Sequence, residues 1–253
     1  PEEVNGIADF PSIWNQGPRL NLFLHWDGNN YNADERNRTA ALALVAPSNL
    51  NFASLDRLRE WLNVVPAPKY PYAISDRLAA QGKPIFEANC AGCHNVFDHP
   101  EKDTVVPIDE IQTDRGRLDS YTSDLASNQY LIFSDVRYKG EDKRFQNYRK
   151  TNGYVSAPLD GIWLRAPYLH NGSVPTMRDL LETPERRPTE FYRGYDVYDQ
   201  DNMGFVSTVA EENGDAFFML DTTLPGNGNG GHDYGTALSP SDKDALIEYL
   251  KTL

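Results

Sequence analysis

Two thiols and an imidazole fall within five residues, Cys90-Ala91-Gly92-Cys93-His94, and these are the chain's only cysteines. Thiols three residues apart on one helical turn can each add to a vinyl group of a haem. The imidazole beside the second thiol then lies beneath the iron. That is the chemistry of c-type attachment: one covalent haem c, bound through Cys90 and Cys93, with His94 as proximal ligand. Three other uses of the same residues compete. A structural zinc site needs further Cys or His ligands at short spacing, and there is no third cysteine. A thioredoxin-like redox pair follows a strand and opens a helix, whereas here a helical pattern precedes the motif. A chance turn would leave unexplained why both cysteines fall in it.

A haem iron has a second axial position. His232 lies in GNGNGGHDYG, where glycines without Cβ let backbone approach a flat macrocycle, and it is the first candidate for sixth ligand. The plain alternative is a loop histidine without a role. His170, two residues after Tyr168, reads as packing near the haem edge or a propionate and is an alternative ligand. So is Met203 in DNMGF, whereas Met177 introduces a helical stripe and reads as core. His25 is a further candidate, and His99 beside Pro100 reads as surface. Arg165 and Lys83 are cations that could meet propionates.

These groups need elements to hold them. With 253 residues, 40% hydrophobic and 11% aromatic, the chain can bury a substantial core. Its 24 basic and 37 acidic side chains give a net charge of -13, which argues against nucleic acid or anionic lipid as a partner. No apolar run approaches the ~20 residues of a membrane span. Helices are expected over 33–46, over 54–62 with Ser54 as cap and Leu55, Leu58 and Leu62 on one face, and into the cysteines, where Pro84 should kink the helix or delay its body to Ile85. Gly82, Phe86 and Cys90 recur every four residues, placing Phe86 on the motif's face of that helix, where it is a candidate haem contact. A short helix begins near Thr176. A last one spans Ser241 to Leu253, announced by Ser239-Pro240, with Leu246, Ile247, Leu250 and Leu253 as its buried stripe. Residues 96–160 read as polar loops with one apolar run, Tyr130 to Phe133. Strand signals are weak, so the expected fold is mainly α. VVPAPKYPYA is a stiff crossing, which divides the chain into 1–65 and 66–253.

PSIWN followed by LFLHWDGNN resembles segments that follow the first haem of bacterial dihaem cytochrome c peroxidases. APLDGIWLRAPYLHNGSVPTMRDLL is similar to the segment near their second haem, and LHWDGNN, PYLHNGS and GHDYGT are closer to a branch that includes the dihaem rubber oxygenases. The resemblance runs from Pro11 to Leu253. It implies that 66–253 is a C-terminal cytochrome c domain with long loops, and that 1–65 is the remainder of an N-terminal haem domain. It further implies a first helix crossing the last at Gly82, Phe86, Tyr249 and Leu250; Trp26 as an electron path between haems; a calcium ion with Asn15 among its ligands; and a second haem domain or redox protein as partner. A periplasmic or secreted location follows from haem c. Two departures stand out. The family carries an earlier C-x-x-C-H, which this chain lacks, and the opening PEEVNGIADF reads as continuing from a preceding segment. The peroxidase methionine position is Asn152. The leading expectation is an electron-transfer unit of a periplasmic dihaem oxidoreductase. The alternatives are a catalytic haem acting on peroxide or dioxygen, and a non-catalytic haem sensor in which ligand exchange moves the loop Gly226 to Gly231.

Overall fold

The computed structural model describes residues 7–100 and 103–253; the first six residues of the opening segment lie outside it. Among these residues the helices are α1 (Ala33–Leu42), α2 (Phe52–Val64), α3 (Asp76–Asn89), α4 (Ala91–His94), α5 (Ile108–Ile111), α6 (Gly116–Ser120), α7 (Ser123–Gln129), α8 (Met177–Leu180) and α9 (Pro240–Leu250). Between them run long loops and five antiparallel two-stranded pairs. The chain is therefore less uniformly helical than expected. Strands of two to four residues are too short to carry a period-two signal.

Side-chain caps set the helix starts. Asn32 accepts the Glu35 amide at 3.0 Å, and α1 then stops at Leu42, short of the expected 46; Pro47 keeps Ala46 extended. The cap of α2 is Asn51, which accepts from the Ser54 amide at 3.0 Å, so Ser54 stands inside the helix it was expected to cap. Leu62 is buried there, but Leu58 is exposed. Helix α3 starts at Asp76 under a Ser75 cap and runs through Pro84, so its body is not delayed to Ile85. Ser239 caps α9 with Pro240 in the first turn, and Leu246, Ile247 and Leu250 are buried as the stripe required.

The pairing of α3 with α9 is the main helix contact. Gly82 makes it possible: a Cβ there would strike the Ala245 carbonyl and sit 2.8 Å from Tyr249 Cβ. One turn on, the Phe86 and Tyr249 rings meet at 5.2 Å. The Ser75 amide also donates to Glu248 at 2.7 Å, tying the start of α3 to the end of α9. Around this crossing lies the principal apolar core, with Trp163, Tyr168, Met177 and Met203.

A second core joins Leu50, Tyr121, Phe133, Phe145 and Tyr148, with Leu42, Phe52 and Leu55 packed on it. It therefore unites α1 and α2 with residues 121–148, across the proline-rich crossing. A buried carboxylate staples the same two regions. Glu35 accepts from the backbone of Gln146 and Asn147 and from the amides of Asn30 and Asn147, all at 2.7–3.1 Å. Its lone pairs are filled without a cation.

Candidate haem site

Helix α3 ends at Cys90, whose backbone leaves the helix before the single turn α4 lifts Cys93 and His94. Both thiols are free. They lie, with His94 and His232, on the wall of one cavity of about 320 Å³, within the size range of cofactor pockets. Burial, then the neighbouring Cys93, pushes the Cys90 thiol up to about 11.

On that wall the His94 and His232 ring centres lie 6.2 Å apart, with planes at 47°. A metal bound at about 2.0 Å from each imidazole, with about 1.1 Å from bonded nitrogen to ring centre, would set two axial rings about 6 Å apart. The pair therefore fits one iron between them. His94 Nδ1 lies 2.8 Å from the Ala157 carbonyl. A carbonyl only accepts, so Nδ1 carries the proton and Nε2 keeps the lone pair. His232 Nδ1 is buried and meets no hydrogen-bond partner among the described residues. Burial, and for His232 also the neighbouring His94, holds both imidazoles below their ordinary pKa, hence in the neutral form that binds metal.

The loop carrying His232 is tied down at many points. Asn171 donates to the Gly226 and Gly228 carbonyls and Ser173 to Gly228, each at 3.0 Å. The buried Arg187 guanidinium donates to the Gly231 carbonyl at 2.8 Å and to Asn229 at 2.5 Å, and also to Glu182 and Leu180. The glycines serve a different purpose from the one expected. At Gly231 (φ 70°) a Cβ would collide with the Ile111–Gln112 backbone, and at Gly228 with Asp114. They let the loop lie against neighbouring protein, and the His232 amide then bonds to Ile111 at 2.9 Å.

Other candidates are placed differently. His170 is buried on the cavity wall, stacked on Tyr154 at 4.1 Å. The Tyr154 hydroxyl donates to the Asp114 carbonyl at 2.7 Å, so the 3.0 Å contact with His170 Nε2 is a bond donated by the imidazole. Nε2 then has no lone pair to offer iron, and the ring is held against Tyr154 on the cavity wall, where packing near a haem edge was the first expectation for it. Met203 is fully buried in the principal core and does not line the cavity; Met177, expected as core, does. Phe86 likewise is not among the lining residues and packs against Tyr249 at the helix crossing. Lys83 is exposed beside Glu87 at 3.9 Å, and Asn152 is exposed and bonded to Arg115. His99 is exposed, as expected.

Trp26 reaches the wall, its indole donating to the Asp9 carbonyl at 2.6 Å, with the Arg165 guanidinium 5.9 Å from its ring centre. His25, which also lines the cavity, is held by Asn29 at 2.6 Å. Asn15, expected among the ligands of a calcium ion, donates its side-chain amide to Asp160 at 3.2 Å, and the other Asp160 oxygen is paired with Arg19. Among the described residues no group of three or more His, Cys, Asp and Glu is arranged for a metal. Sequence reasoning missed Ala157, Tyr154, Asn171 and Arg187. Asn171 stood within PYLHNGS, but nothing in the pattern says that its amide faces a loop 55 residues away.

Residues 153–193 match the model of a RoxA-like, cytochrome c-like family. This stretch supplies Ala157, Asn171 and Arg187, which orient His94 and hold the His232 loop, and His170 on the cavity wall. A cytochrome c-like domain implies haem c. The chain is 31% identical to the uncharacterized protein y4iM of Sinorhizobium fredii (strain NBRC 101917 / NGR234), over 97% of this chain and 64% of the relative. It is 42% identical to the uncharacterized protein y4iJ of the same strain, over 45% of this chain and 21% of that protein. It thus spans less than two thirds of either relative. No described helix is long and apolar enough to cross a membrane.

Proposed function

We propose that this chain is a c-type haem electron-transfer unit of a periplasmic or secreted dihaem oxidoreductase, exchanging electrons with a second haem domain or a redox partner protein. One observation carries the reading: two neutral imidazoles have their ring centres 6.2 Å apart on a cavity wall that also holds both thiols of the attachment motif. Cys90 and Cys93 would hold the haem covalently, with His94 and His232 on its two faces. When bound, the haem supplies one-electron iron chemistry.

The protein's part is to keep that centre unchanged between oxidation states. Ala157 fixes the tautomer of His94 and its orientation, and Asn171, Ser173 and Arg187 immobilise the His232 loop. Apolar side chains such as Leu246 and Leu250 close the wall against water. Rigid ligands and a dry surround favour electron exchange with little rearrangement, and two imidazoles keep the potential below that of a His/Met centre. Trp26, which lines the same cavity, is the candidate path for electrons entering or leaving.

The test is a pair of experiments on the protein matured with haem. The denatured chain should keep its haem in acidic acetone, and the His232→Gly variant should turn a low-spin spectrum high-spin while His170→Gly does not. Haem released into the solvent overturns the attachment. A high-spin unaltered protein overturns the electron-transfer reading in favour of a catalytic haem acting on peroxide or dioxygen.

A further inference from the structure

The cavity has a third set of polar groups that the axial ligands and thiols do not use. Arg19, Arg36 and Arg165 all line it, an unusual concentration of positive charge in a chain of net charge -13. Two of the three have acceptors. Arg19 pairs with Asp160, and Arg165 donates to the Phe10 carbonyl. Arg36 has none: its Nε and Nη2 are buried and unpartnered among the described residues. Burial, and then the charge of Arg19, pushes its guanidinium down to about 10. Tyr148 and His25 are its other titratable neighbours, and neither supplies an anion near neutral pH.

A buried guanidinium without a counter-charge is costly, and this one belongs to a helix fixed by the Asn32 cap and the Glu35 staple. The two open nitrogens, Nε and Nη2, share the edge of the guanidinium that grips a carboxylate with two parallel hydrogen bonds. We infer that Arg36 is the carboxylate-binding residue of this cavity and takes a propionate of the haem, with Arg19 adding long-range charge and Arg165 a lesser part. The inference rests on the haem reading. It adds that α1, far from the attachment motif in sequence, selects the acid edge of the cofactor.

The test uses the haem-loaded full chain, with Arg36→Gln, Arg36→Lys and Arg165→Gln. Losing a cation beside a propionate favours ferric iron, so Arg36→Gln should keep its covalent haem band and show a lower midpoint potential. Arg36→Lys should fall in between, and Arg165→Gln should move least. A second arm removes both thiols (Cys90→Ala with Cys93→Ala) and titrates the chain with haem and with its dimethyl ester. The free acid should bind about tenfold tighter or better, a preference that Arg36→Gln abolishes. If Arg36→Gln does not fold, Arg36→Lys and the ester comparison still decide. Unchanged potential with intact haem, equal binding of acid and ester, or a larger effect at Arg165 overturns the assignment. A chain that carries no haem sinks the underlying reading, which the stained band detects separately.

Discussion

The cavity has two walls of different origin. One is the attachment wall, made by α3, α4, the 153–193 stretch and the His232 loop; the other is made by residues 19–36, with Trp26, His25 and Arg36. Behind the first wall, partners fix the geometry: His94 is bonded to Ala157, and Asn171 and Arg187 bond the carbonyls of the His232 loop, while His232 Nδ1 is left open. On the second wall, where Arg19 and Trp26 are bonded, Arg36 Nε and Nη2 meet no partner among the described residues. The contrast separates two tasks. On the proposed reading the first wall would pre-set the ligands of the haem iron, and the second would hold charge for a carboxylate that arrives with the cofactor.

Substitutions on the two walls should therefore fail differently. The largest effect belongs to the thiols: Cys90→Ala with Cys93→Ala should abolish the haem band on a denaturing gel completely. Next is the helix crossing. Gly82→Val pushes a branched side chain into the Ala245 carbonyl and should cost about 3 kcal/mol or more, seen as a lower denaturant midpoint. Arg187→Met leaves several loop carbonyls without their donor. It should cost about 2–3 kcal/mol and raise the high-spin fraction, because the His232 loop loosens while Cys90 and Cys93 still hold the haem. A purely structural Arg187 would lower stability and leave the spin state alone.

The smallest effect is a pH dependence. Burial, then Arg117, holds His170 down at about 3, below its ordinary 6.5. A base depressed in the folded state binds fewer protons than in the unfolded chain, so its stability contribution is full above 6.5 and is lost as pH falls toward 3. At pH 5 the loss is about 2 kcal/mol. His170→Gln should flatten that part of the stability–pH curve, and a curve of unchanged slope would show that the imidazole charges without penalty.

What was legible follows the same division. The attachment motif, the Gly82 crossing and the α9 stripe depend on spacing within one element, so the sequence alone places them. His232 stood out in the sequence ahead of His170 and Met203, and it lies 6.2 Å from His94 on the cavity wall, but its glycines pack against Gln112 and Asp114, which spacing alone does not reveal. Arg36 and Arg187 were out of reach, because what makes each notable is a partner, or the lack of one, supplied by distant chain. The second core was hidden for the same cause. Leu42 and Phe52 meet Phe133 and Phe145 only after the proline-rich crossing has turned the chain back.

The central claim is that His94 and His232 bind one iron from opposite faces. The most direct measurement is the low-temperature electron paramagnetic resonance spectrum of the oxidised, haem-loaded protein, recorded beside that of His232→Gly. The account predicts a low-spin ferric signal in the unaltered protein and a high-spin signal in the variant. A high-spin unaltered protein, or a low-spin signal that survives the loss of His232, would contradict it.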